Sequence, residues 1–200
     1  MSQAAPYFAA SYAEPSSGPL PIARDKGPVT RGQFLFVVAV ALGGGLLGIL
    51  GAFVQEVRAV SGLGPFVVAP IVEEALKPVG IYWLQARWPE LLPNRFFTAA
   101  LAGLSGLTFG YLESLVYLYV YHPHHGAAFV VVRLTITPAM HMVASFIMGL
   151  GISRQLIEGA YGRSPFPGAS RPYFVAAMAV HGGYNLLVTV LALNGIWKVR

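Results

Sequence analysis

Cysteine is absent from the 200-residue chain, which removes disulfides, thiolate metal ligands and a cysteine nucleophile together, and leaves the redox compartment open. Charge is scarce as well: 10% of residues are charged and 56% hydrophobic, where a soluble domain carries about 25% charged residues. A water-soluble globule is thereby excluded. Aspartate occurs once, as Asp25, so a pair of intramembrane aspartates cannot be a catalytic device. No histidine is followed directly by glutamate, which excludes the short zincin spacing. The 13 Lys+Arg and 8 Asp+Glu leave a net charge of +5, but the positives are scattered between apolar runs and form no block that tracks phosphates. A nucleic-acid partner is not expected.

What the chain does have is long apolar runs. Residues 1–31 hold Pro6, Pro15, Pro19, Pro21 and Pro28 and read as a disordered or surface tail. Its basic residues follow its weakly apolar part, the reverse of a signal peptide. Residues 32–200 read as a single transmembrane domain. The run 34–54 has no charge and makes about 31 Å of helix, enough to cross a hydrocarbon core of about 30 Å. Similar runs follow at 63–84, 96–121, 126–152 and 172–197. They are too long for barrel strands, so the expected fold is all-α, a polytopic membrane helix bundle of about five spans. One of these is expected to be kinked or re-entrant, since Pro138 deprives the Leu134 carbonyl of its helical partner. Eight positives (Arg24, Lys26, Arg31, Arg87, Arg95, Arg154, Arg163, Arg171) fall on one side of these spans and three (Arg58, Lys198, Arg200) on the other, which puts the N-terminus in the cytoplasm.

Polar residues inside the spans carry the functional argument. An ionic side chain at a helix centre costs about 2.5–3.5 kcal/mol, yet Glu73, Glu74 and Lys77 fall within one turn and a half. Glu73 and Lys77 lie about 40° apart on a helix and Glu74 and Lys77 about 60° apart, so the ammonium serves one carboxylate well and leaves the other over. Pro78 opens the helix beside them, and irregular backbone at membrane depth lines a cavity. Glu113 shares a helix side with Phe109, Gly106 and Gly110. His141, Ser145 and Gly149 form a stripe at steps of four, as do His181, Asn185 and Thr189. Counted from the helix ends, these groups lie at compatible depth, and the expectation is one membrane-embedded cavity. Arg133 reads as a snorkelling cation, with a substrate carboxylate as its alternative partner, and His122, His124 and His125 as a solvated loop.

Glu73-Glu74-x-x-Lys77, Phe109-Gly110-x-x-Glu113, His141 with Gly149, and His181-x-x-x-Asn185 resemble, in order and spacing, the motifs of PrsW-type intramembrane proteases, a branch similar to the CAAX prenyl endopeptidases and bacteriocin-processing or self-immunity proteins. The resemblance covers roughly residues 65 to 190. It implies an intramembrane endopeptidase, a multi-pass protein of the cell membrane whose partners are a membrane protein or peptide substrate and the bilayer. It further implies Glu73 as general base on water and His181 with Asn185 at the scissile carbonyl. Glu113 stands where the CAAX branch has histidine, as in the PrsW branch, which weakens any carry-over of CAAX chemistry or of a prenylated substrate.

The chemistry can also be drawn from the residues alone. Among Glu73, Glu74 and Glu113 one acts as base while another holds a proton, Lys77 keeps a chosen glutamate ionised, water attacks near Glu73 and Glu113 or His141, and His181 and Asn185 receive the oxyanion. No cofactor is expected on this scheme. The alternative is Zn²⁺ held by Glu73, Glu113, His141 and His181. Two further readings compete: a rhomboid-like serine protease using Ser105 of Gly103-Leu104-Ser105-Gly106 with His181, and a non-enzymatic proton or ion transporter.

Overall fold

The computed structural model describes residues 29–58, 64–124, 126–163 and 168–194; the expectations for residues 1–28, His125, Lys198 and Arg200 lie outside them. Among the described residues every regular element is helical: α1 (Arg31–Arg58), a π-helical turn (Gly64–Val68), α2 (Ala69–Leu76), α3 (Val79–Arg87), α4 (Arg95–Val116), a second π-helical turn (Tyr117–Tyr121), α5 (Ala127–Leu134), α6 (Ile136–Leu150), α7 (Arg154–Ala160) and α8 (Arg171–Leu193), with short 3-10 turns at Pro89–Leu91 and Gly168–Ser170. Four segments are long and apolar enough to cross a bilayer: Arg31–Leu50, Arg95–Tyr121, Ala127–Leu150 and Gly168–Leu193. The chain is a polytopic helical membrane protein.

The run expected to span at 63–84 is broken into a π-helical turn, α2 and α3. Proline is the cause. Pro78 has no N–H, so the ladder that carries the Lys77 amide to the Glu73 carbonyl at 2.9 Å stops there and restarts with Ile81 and Tyr82 on the Pro78 carbonyl. The Lys77 carbonyl instead accepts the Ser105 hydroxyl of α4 at 2.5 Å. The 126–152 run is interrupted in the same way: Thr135 leaves helical geometry (φ −122°, ψ −61°), three residues before Pro138, whose ring crowds the Leu134 carbonyl.

Small residues set how close the helices come. α4 runs along α6, and α1 packs against α4. A side chain at Gly110 would place its Cβ 2.7 Å from the Cα of Pro138, and one at Gly106 would collide with the His141 carbonyl and Ser145. The apolar core fills one end of the bundle, where Val37 and Ala41 meet Ile81, Leu84, Leu101 and Ile152. The other end is hollow, and the large apolar side chains outside it, among them Leu47, Leu50, Leu186 and Leu187, are exposed where lipid belongs.

Candidate functional site

Four helices deliver one polar cluster. From α2 come Glu73 and Glu74, with Lys77 at its C-terminal cap; α4 supplies Glu113, α6 His141 and α8 His181. The Lys77 side chain is fully buried, as is Glu74. The Lys77 ammonium lies 2.7 Å from Glu74 Oε1 and 3.4 Å from Glu73 Oε2, so it serves one carboxylate closely and the other loosely. It donates as well to His141 Nδ1 at 2.7 Å and sits 4.2 Å from the centre of the Phe109 ring. Phe109 in turn meets His141 edge to face at 5.2 Å.

Glu74 is saturated. Beside Lys77, its Oε1 accepts His181 Nδ1 at 2.9 Å and its Oε2 accepts Ser145 Oγ at 3.2 Å. A carboxylate only accepts, so the neutral His181 ring donates through Nδ1 and keeps a bare lone pair on Nε2. That atom faces Glu73 Oε2 at 3.7 Å. The oxygen it faces is buried and has no hydrogen-bond partner, a costly arrangement for a carboxylate in a low-dielectric interior. The ring of His141 lies 4.7 Å from that of His181, and its Nε2 meets Glu113 Oε2 at 3.0 Å.

Glu73, His141 and His181 each present a donor atom, and the three atoms lie within 4.8 Å of one another. Two imidazoles and a carboxylate are a donor set suited to Zn²⁺ in an open catalytic site, and the Glu73 oxygen without a hydrogen bond, held only loosely by Lys77, is the atom a cation would satisfy. The residues present therefore fit a metal. Both His141 nitrogens are engaged, by Lys77 and Glu113, so a cation on this ring would displace one of them. Glu113 falls outside the set of three, although it is bonded to one member.

Two members of the cluster, Glu73 and Glu113, line a cavity of about 520 Å³ together with apolar residues such as Ile49, Val116, Val132 and Val188. The remaining sequence candidates take other places around the cluster. Asn185 also lines the cavity, but its amide nitrogen donates to the Pro65 carbonyl at 2.8 Å, and Thr189 bonds back to its own helix at Asn185. Ser105 is wholly buried with its hydroxyl on the Lys77 carbonyl, which removes the geometric basis for a serine nucleophile. Arg133 does not snorkel away: its Nη1 lies 3.5 Å from Glu113 Oε2. The pair formed by Thr137 and Tyr184, whose hydroxyls are 2.6 Å apart, went unread in the sequence because a tyrosine in an apolar run gives no signal.

The sequence profile of the PrsW family intramembrane metalloproteases matches residues 29–199. No curated protein and no solved structure matches the chain. The expectation that no cofactor is needed is corrected by two findings: the matching family is one of metalloproteases, and the structure gathers Glu73, His141 and His181 as a possible metal site. The alternative Zn²⁺ set had named these three residues together with Glu113; no short spacing marks them because they come from three helices, and only packing brings them into range. With a match that runs from residue 29 to residue 199 of 200, the chain belongs to the PrsW family of intramembrane metalloproteases.

Proposed function

We propose that the chain is a glutamate-dependent endopeptidase that hydrolyses a peptide bond of a membrane protein or peptide inside the bilayer, with Glu73, His141 and His181 holding a divalent cation, best matched by Zn²⁺. The observation that carries this reading is the buried Oε2 of Glu73, a cavity-lining residue, which has no hydrogen bond and only the loose 3.4 Å contact with the Lys77 ammonium while two imidazoles stand beside it. When bound, such an ion supplies Lewis acidity and a water of lowered pKa. The protein's own groups do the rest. Glu113 lines the cavity and is anchored by His141 Nε2 and Arg133, so it is the carboxylate that takes a proton from water and returns it to the leaving amine. Glu74 positions His181 and is itself held by Lys77 and Ser145. Asn185 keeps the cavity wall in place through Pro65; service to an oxyanion requires it to leave that bond. The unequal distribution of positives supports the cell membrane with a cytoplasmic N-terminus.

The test combines metal analysis with cleavage of single-span substrates read by mass spectrometry. Wild type should carry bound metal and lose cleavage on chelation. Glu73→Gln, His141→Ala and His181→Ala should lose both metal and cleavage. Glu113→Gln should keep the metal and lose about 10²–10⁴-fold in rate, and Ser105→Ala should retain cleavage. Full activity of metal-free protein, or loss confined to Ser105→Ala, defeats the proposal.

A further inference from the structure

We propose that Arg133 is the anchor for a carboxylate carried by the substrate, so that the cavity selects apolar peptides with an acid group close to the scissile bond. This rests on the peptidase reading above and extends it to substrate choice. Among the described residues lining the cavity, Arg133 is the one cation. Lys77, fully buried behind Glu73 and Glu74, cannot reach an incoming chain. A guanidinium in a largely apolar wall at membrane depth is expensive, and Glu113 offsets that cost only in part. The contact is single, at 3.5 Å, and the same Glu113 oxygen already meets His141 at 3.0 Å.

The side chain is nevertheless held still. Its guanidinium stacks 3.5 Å from the centre of the Tyr117 ring and lies 5.5 Å from that of Phe129. Stacking occupies a face of the guanidinium and leaves the N–H groups, which lie in its plane, free of the ring. A fork held in this way matches a carboxylate and loses little freedom on binding it. With Glu113 against one edge of the guanidinium, a substrate carboxylate takes another edge, and the span across the fork is on the order of two extended residues, about 7 Å. The acid is therefore expected about two residues from the bond cleaved. A free chain end and an Asp or Glu side chain both provide it.

The experiment reads binding, so that failure of catalysis and failure of the anchor are separable. A fluorescent acetylated Leu-Val-Leu peptide is titrated into the full-length protein in detergent as its free acid, as its amide, and as an amide with Glu two residues from the end. Wild type should bind the acid about tenfold more tightly than the plain amide, the scale of a hydrogen bond to a charged group, and Arg133→Gln should abolish the difference. Arg133→Lys should keep part of it, since the charge remains without the fork. Should Arg133→Gln fail to fold, Tyr117→Leu, which removes the stacking platform and keeps the guanidinium, should narrow the preference. The Glu-containing amide matching the acid assigns the site to side chains, and its matching the plain amide assigns it to chain ends. Equal binding of acid and amide by wild type, or a preference that survives Arg133→Gln or is untouched by Tyr117→Leu, overturns the proposal.

Discussion

Glu73 and Glu74 are adjacent in the chain and differ in what surrounds them. Glu74 is matched atom by atom to Lys77, His181 and Ser145, whereas Glu73 keeps one oxygen without a hydrogen bond. On a helix the two lie at nearly the same angular distance from Lys77, and their division of labour comes from what α6 and α8 bring against Glu74. A carboxylate that orients a metal-bound imidazole without touching the metal tunes affinity by its grip on the ring. Glu74→Gln is therefore expected to lower metal affinity by about 10–100-fold while the protein still folds, measured by competition with a chelator of known affinity. Glu73→Gln, in contrast, should leave no measurable stoichiometric metal. Equal affinities of wild type and Glu74→Gln would show that His181 needs no such support.

At the scale of helices, the crossing of α4 and α6 decides where His141 stands. Gly110 lies against this crossing: an added Cβ comes within 2.7 Å of Pro138 Cα and 2.9 Å of His141 Cδ2, so the backbone or the His141 ring must move. Gly110→Ala is expected to cost about 1–3 kcal/mol through overpacking and to weaken metal binding along with it. Gly43 faces open space, with nothing within 4 Å, and Gly43→Ala should gain up to about 1 kcal/mol from helix propensity; thermal unfolding with metal content read alongside separates the two. The apolar runs, the prolines and the polar residues between them were legible because a bilayer demands long uncharged helices and makes each exception conspicuous. The division of 63–84 into short helices was less so, since proline marks a break without saying how the chain resumes. Contacts such as Asn185 with Pro65 or Arg133 with Glu113 join separate elements, and no spacing along the chain encodes them.

The molecule as a whole is solid at one end and hollow at the other. Val37 and Leu84 are wholly buried in the apolar core, while Val132 and Val188 line the cavity that ends at Glu73 and Glu113. Hydrolysis needs water at that inner end, and charged groups within a membrane are tolerated where a wet cavity reaches them. Lipid alone filling the cavity would leave Glu113 and Arg133 to a medium that solvates neither. The chain's lack of cysteine makes the point measurable, because each introduced thiol is then the single reporter. Val132→Cys and Val188→Cys should react with a small charged methanethiosulfonate in the folded protein, and Val37→Cys and Leu84→Cys should react only after denaturation. The charged reagent reports water, since it does not enter hydrocarbon and a thiol facing lipid forms little thiolate. Protection at all four positions would mean that the cavity is dry, and the carboxylates at its base would then have no source of the water that peptide hydrolysis consumes.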